Sequence, residues 1–232
     1  MDAHAIVQEL QSLITGDVSI SAEDLSKASH DTSIFTITPA VVVYPKVKND
    51  LLELVAWTHA KKQQGVDVSL TMRAAGSCMT GGPLSASIVV DTTKYMNHVL
   101  EVNEQSATAE PGVLYRDFEP QTLAHGWLLP SYPASRELAA IGGIVSNNSG
   151  GEKTLTYGKT EKYVQALDVV FANGESDTLT AIRENKLAEK IEEQSESGRV
   201  HREMLTLLDE NYDVIMAAKP TVSKNSSGYY LW

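Results

Sequence analysis

Ten consecutive residues, RAAGSCMTGG at 73–82, place one arginine, two hydroxyls and three glycines in a stretch almost without bulk. Small residues let the backbone come close to a ligand and turn several N–H groups toward it, which is how loops hold phosphate oxygens. A loop that only turns tightly would have the same composition. Two familiar nucleotide motifs do not apply. A Rossmann fingerprint needs its glycines to open a helix, whereas this run leads into SASIVVD, a strand-like segment. A P-loop reading of YGKT at 157–160 fails because Lys153 stands where the leading glycine is required.

A second loop, at 128–158, carries Gly142, Gly143, Gly150 and Gly151 among Asn and Ser residues. Two long loops of this kind are costly in a compact domain unless they line something. A long polyanionic ligand accounts for both. The other reactive side chains read more plainly. The six histidines show no HxxxH or HExxH spacing, so no metal site is predicted. His125 precedes Gly126 at a helix end, where the helix dipole explains it. Cys78 has no identifiable activating partner and reads as a small loop residue. Arg73 could meet a phosphate, and an ion-pair or packing role explains it almost as well. Asp91 and Glu101 read as solvated strand ends.

The elements that must position these loops are of α+β type. Helices are predicted at 3–14 and 21–28, the second with Ser21 as N-cap. A strand at 41–44 leads to a helix capped by Asn49, with Leu51, Leu54, Val55 and Thr58 as its buried stripe and Gly65 as its stop. A strand at 68–72 then completes a βαβ-like unit that ends on the first loop. Strand signals are frequent from 87 to 179, around a helix at 114–124, and Asn173-Gly174 marks a hairpin turn. Charged, helical sequence fills 182–219, and 193–198 is linker-like. With 232 residues and 42% hydrophobic content, the chain fits one large domain or two small lobes. A net charge of -11 argues against a nucleic-acid partner. One cysteine excludes an internal disulfide, and no apolar run reaches the length of a membrane span. Without an export signal, the sequence predicts a soluble, cytoplasmic protein, with peripheral membrane attachment as the alternative.

The order PAVVVYP (39–45), RAAGSCMTGG (73–82), IVVD (88–91), EPG (110–112), LLPSYPAS (128–135), IGGIVSNNSGG (141–151), YG (157–158) and DVVFANG (168–174) resembles the FAD-binding domain of the vanillyl-alcohol-oxidase and p-cresol-methylhydroxylase type. It is most similar to the FAD-linked dehydrogenases of D-lactate, glycolate and related 2-hydroxy acids, over roughly 36–218. The resemblance implies two α/β subdomains with FAD between them. It divides the chain into an N-terminal helical segment at 1–35, the FAD domain at 36–219, and the start of a following segment at 220–232.

Residue by residue, the first loop matches the family's pyrophosphate loop, with Arg73, Gly76, Ser77, Cys78 and Gly81 on its fixed positions and Ala74 replacing the first glycine. Backbone amides of Ala74, Ala75, Gly76, Ser77, Cys78 and Met79 are implied to hold the FAD diphosphate. Pro133, Ser135, Ile141, Gly142, Gly143, Asn147 and Gly150 match the segment along the ribityl chain and flavin ring; Gly158 follows, and Val164 and Val169 lie on the adenosine side. Some relatives tether the flavin through a histidine in the first loop, and Ser77 stands there in this chain, so non-covalent FAD is expected. The implied reaction is hydride transfer from a 2-hydroxy acid to FAD, with electrons passed on to an acceptor. The family's glycine-rich GSEGTLG segment and its substrate-binding cap have no counterpart before Trp232, so a truncated chain is expected and no catalytic base is assigned. Three alternatives accompany this reading: a FAD-binding or electron-transfer subunit that relies on a partner chain, a nucleotide-binding module without redox activity, and a UDP-sugar enolpyruvyl reductase-like flavoenzyme using NADPH.

Overall fold

The computed structural model describes residues 2–222, 225–226 and 229–232. The chain forms two compact units, Met1–Val164 and Gln165–Trp232. The first opens with α1 (Ala3–Leu13), β1 (Asp17–Ser19), α2 (Ala22–Ala28), β2 (Val41–Tyr44), α3 (Lys48–Gln63), β3 (Leu70–Arg73) and β4 (Ile88–Asp91). Its sheet has the order β1-β2-β4-β3, with β2, β4 and β3 parallel and β1 antiparallel at one edge. Strands buried on both faces need apolar side chains at every position, and VVVY and IVV supply them. Val41, Val43, Ile88 and Val90 pack toward Ile6, Leu10, Leu54 and Trp57 of α1 and α3. The alternate residues Val42, Tyr44 and Val89 pack with Ala28, the last residue of α2. Each fully buried aliphatic side chain contributes about 1.5–3 kcal/mol.

Buried polar groups fix the helices to this sheet. The Asp50 carboxylate accepts the amide of Thr15 at 2.8 Å, its hydroxyl at 3.0 Å, and the amides of Lys46 at 2.7 Å and Val47 at 3.4 Å. Burial pushes this carboxyl up, but those donors outweigh the effect and hold it below its ordinary value. Asp50 therefore serves as the N-terminal anchor of α3, the role the sequence gives to Asn49. The buried stripe of α3 also differs from expectation, since Asp50 and Trp57 are buried and Val55 is half-buried. Glu9 joins α1 to α3 by accepting Trp57 Nε1 at 2.7 Å and Lys61 Nζ at 2.9 Å. The Ser21 cap on α2 is as predicted, accepting the Asp24 amide at 3.1 Å.

A second core in the same unit forms around β5 (Val99–Val102), β6 (Ala107–Ala109), α4 (Tyr115–Leu123) and α5 (Ile141–Ser146), and α6 (Thr154–Tyr157) follows in the chain. The antiparallel β5–β6 ribbon packs on Val113, Tyr115, Phe118, Tyr132, Ala139 and Ile144. The stretch at 128–158, expected as open loop, thus contains two short helices. Tertiary contacts hold α5 in place: Ile144 is buried, and the Ile141 amide donates to Val113 O at 2.8 Å.

The second unit is a β7 (Ala166–Val170) and β8 (Ser176–Thr180) hairpin followed by α7 (Glu184–Glu192), α8 (Glu196–Glu210) and α9 (Tyr212–Ala218). Gly174 turns the hairpin with φ 91°, as the Asn-Gly pair predicts. The linker-like run at 193–198 is a tight corner in which Ser195 caps α8 by accepting the Gly198 amide. The SGY motif at 227–229 falls partly outside the described residues. Among the described residues no helix is long and apolar enough to cross a membrane.

Candidate functional site

β3 ends at Arg73, opposite Asp91 of β4, and the small-residue loop leaves from the carboxyl edge of the parallel strands. Ligands of open parallel sheets sit at that edge. Arg73 is buried to all but 7%, and its Nη1 has no hydrogen-bond partner among the described residues. The loop folds over this guanidinium at Gly76, whose φ is 69°. A Cβ at Gly76 would lie 2.2 Å from Arg73 Nη2, so a glycine is needed both for the backbone conformation and for the space.

The far side of the loop is tied to the segment before β2. Gly81, at φ 78°, donates its amide to Asp31 Oδ2 at 2.9 Å. Thr32 donates its amide to Cys78 O at 3.1 Å and its hydroxyl to Cys78 O at 2.8 Å and Ser77 O at 3.1 Å. Burial pushes the Asp31 carboxyl up, and hydrogen bonds from Ser33 and Gly81 outweigh that and lower it. The Cys78 thiol is occupied within the loop, 2.9 Å from Thr80 Oγ1. Burial pushes this thiol up, but the Thr80 hydroxyl and the Thr80 and Gly82 amides bring its pKa below the ordinary value. The amides of 75–79, by contrast, donate to no acceptor among the described residues.

A cleft of about 520 Å³ opens between this loop and the second core. Ala75, Gly76 and Ser77 line one side and Gly112, Leu114 and Arg116 the other. The volume lies within the range of small-molecule and cofactor sites. Gly112 lies close against the backbone after β4, since a Cβ there would be 2.2 Å from Thr92 O and 2.6 Å from Met96 O. Arg116 Nη1 donates to Glu137 O at 3.2 Å on the cleft rim.

The residues proposed from the sequence fall into three groups. Ala75, Gly76 and Ser77 border the cleft, with Arg73 buried next to Gly76; Met79 is 79% exposed, and Ala74 and Cys78 are half-buried. Ile141 and Gly142 are joined to the cleft wall, because their amides donate to Val113 O and Pro111 O, each at 2.8 Å. The remaining second-loop residues do not line this cleft. Pro133 and Ser135 make the turn before Leu138, which does line it, and Ser135 O accepts the Leu138 and Ala139 amides. Gly143 has open space where a Cβ would stand, Asn147 is exposed at the end of α5, and Gly150 packs against Thr154. Gly158 ends α6 at φ 83°. Val164 closes the first unit, and Val169 lies in β7 of the second.

Sequence reasoning missed Asp31, Thr32 and Gly112 as parts of the site's framework. The first two belong to a DTS run that forms an Asx turn, Ser33 N donating to Asp31 Oδ1 at 2.8 Å; that turn signal was readable, its long-range contacts were not. Among the described residues no group of three or more His, Cys, Asp or Glu could hold a metal ion. What remains fits a phosphate-bearing ligand: a buried guanidinium nitrogen without acceptor, a row of amides without acceptors, and a cradle at Gly76 that a side chain would fill.

A mostly parallel sheet with a small-residue loop at its carboxyl edge has the architecture of a nucleotide-cofactor domain. Residues 39–180 match the family described as FAD binding domain, and the chain belongs to that family. It is 26% identical to a D-2-hydroxyglutarate dehydrogenase of Haemophilus influenzae over 93% of this chain and 21% of that protein. It is 38% identical to the glycolate oxidase subunit GlcD of Bacillus subtilis over 47% of this chain and 24% of that protein. It is 28% identical to a D-lactate dehydrogenase of Archaeoglobus fulgidus over 58% of this chain and 29% of that protein. The chain thus spans between a fifth and a third of the length of these relatives. In fold it is similar to an alkyldihydroxyacetonephosphate synthase, with TM-score 0.65 at 22% identity over 77% of this chain and 35% of that one.

Proposed function

We propose that the chain is the FAD-binding part of an oxidoreductase that converts a 2-hydroxy acid of the D-lactate, glycolate or D-2-hydroxyglutarate type to its 2-oxo acid. The observation that carries the reading is the first loop, where Arg73 Nη1 and the amides of 75–79 have no acceptor among the described residues, in a chain of the FAD binding domain family. Support for the substrate class comes from the relatives, which are named for the oxidation of D-2-hydroxyglutarate, glycolate and D-lactate.

In this proposal the loop amides and the Ser77 hydroxyl hold the FAD diphosphate, and Arg73 supplies positive charge from beneath. Residues Pro133, Ser135, Ile141, Gly142, Gly143, Asn147, Gly150 and Gly158 shape the binding of the ribityl chain and flavin. When bound, FAD supplies acceptance of a hydride equivalent from the carbinol carbon; the protein supplies binding and orientation. Attachment is non-covalent, because Ser77 occupies the loop position at which some relatives carry a tethering histidine. The substrate and an electron acceptor are the small-molecule partners.

The test is the visible spectrum of the purified chain, with FAD added if it is colourless, before and after denaturation. Flavin absorbance that is retained on desalting and released on denaturation is the expected result. A well-folded chain that shows no saturable FAD uptake would overturn the cofactor assignment.

A further inference from the structure

The hydrogen bonds from Asp31 and Thr32 reach the small-residue loop across more than forty residues of sequence, and they touch it at the places where amides matter. In a trans peptide the carbonyl and the following N–H point in opposite directions. The carbonyls of Ser77 and Cys78 are both turned to the Thr32 hydroxyl, at 3.1 Å and 2.8 Å, and Cys78 O also takes the Thr32 amide. The N–H groups of Cys78 and Met79 are thereby aimed away from Thr32. They have no acceptor among the described residues. Asp31 fixes the next turn by accepting the Gly81 amide at 2.9 Å and lies within electrostatic reach of Arg73. Thr32 also borders the cleft.

We infer that Asp31 and Thr32 are positioning residues, a clamp that holds the loop with its amides oriented for a dinucleotide diphosphate before the ligand arrives. The inference rests on the FAD reading above but goes beyond it: affinity is set partly by a segment outside the glycine-rich loop. Preorganised donors need no reordering on binding, so loss of the clamp should appear as weaker binding rather than as loss of the fold. Thr32 is exposed, and its side chain does not fill the core, so its substitution leaves the fold in place.

The test uses the full chain and its variants Thr32→Val, Thr32→Ser and Asp31→Ala, with FAD affinity read from quenching of flavin fluorescence. Amide hydrogen exchange at 76–81 without FAD is the second readout. Thr32→Val should weaken FAD about ten-fold and speed exchange of the loop, with the melting temperature nearly unchanged. Thr32→Ser, which keeps the hydroxyl, should restore both, and Asp31→Ala should speed exchange at Gly81. Wild-type affinity and exchange in Thr32→Val, or equal weakening in Thr32→Ser, would overturn the clamp. A wild-type chain that binds no FAD would instead remove the cofactor reading and its affinity arm; the exchange data would then decide the clamp's hold on the loop alone.

Discussion

Gly76 and Arg73 occupy space that a single methyl group would dispute: a Cβ on Gly76 would stand 2.2 Å from Nη2 and 2.6 Å from Cζ of the arginine three residues earlier. The glycine also holds φ at 69°, where an L side chain is strained. Gly76→Ala must therefore push the guanidinium out of its buried place or shift the loop. We expect a stability loss of about 1–3 kcal/mol. FAD affinity should fall more than ten-fold, because either the cation or the loop amides are displaced. Urea unfolding and fluorescence titration on the same preparation measure the two effects separately.

Arg73 itself sets stability against binding. A buried guanidinium with Nη1 unpartnered is a cost to the fold unless an anion meets it. Arg73→Met keeps most of the length and apolar stem while removing the charge. The variant chain without FAD should be as stable as wild type or more so, by up to about 2 kcal/mol. Its affinity for FAD should drop by at least ten-fold. A variant that is destabilised yet binds FAD normally would give Arg73 a purely structural role.

Acid should loosen the sheet through Asp24. Hydrogen bonds from Ser19, Tyr44 and Ser21 lower this carboxyl from 3.8 to about 2 in the folded chain. A folded pKa below the unfolded one means the contribution is complete above pH 3.8 and is lost as pH falls through about 2. Tyr44 donates its hydroxyl to Asp24 Oδ1 at 2.6 Å from a nearly fully buried position. Tyr44→Phe should cost about 1 kcal/mol at neutral pH. The deficit relative to wild type should shrink as pH falls through the window between 3.8 and about 2, a trend that chemical denaturation at stepped pH resolves.

Much of this architecture was legible because one residue's neighbours decided it. The runs VVVY and IVV have no polar position and could only be strands covered on both faces, and Asn173-Gly174 sets its own turn. The small-residue loop at 73–82 was legible for the same reason, since glycine density is a local property. What was hidden depends on distant partners. Asp50 anchors α3 by way of Thr15, 35 residues earlier, and nothing in the sequence near Asn49 shows that. β1 is three half-buried residues defined only by its pairing with β2. Helices α5 and α6 are rich in Gly, Ser and Thr, poor helix formers in isolation, and α5 exists through its contacts with the second core.

Adjacent glycines at the start of α5 should separate packing from binding. A Cβ at Gly142 would fall 2.6 Å from Pro111 Cβ and 2.8 Å from Pro111 O, in the joint between α5 and the cleft wall. A Cβ at Gly143 would meet nothing within 4 Å. Gly142→Ala should therefore destabilise the chain by about 1–3 kcal/mol, because backbone has to yield. Gly143→Ala should leave stability unchanged or raise it by about 0.5–1 kcal/mol, as alanine is the better helix former. If Gly143 faces the flavin, as proposed, the added methyl will also weaken FAD binding or shift the flavin spectrum while the melting temperature holds. A Gly143→Ala chain with unaltered flavin affinity and spectrum would remove this residue from the cofactor site and leave its open surface to solvent.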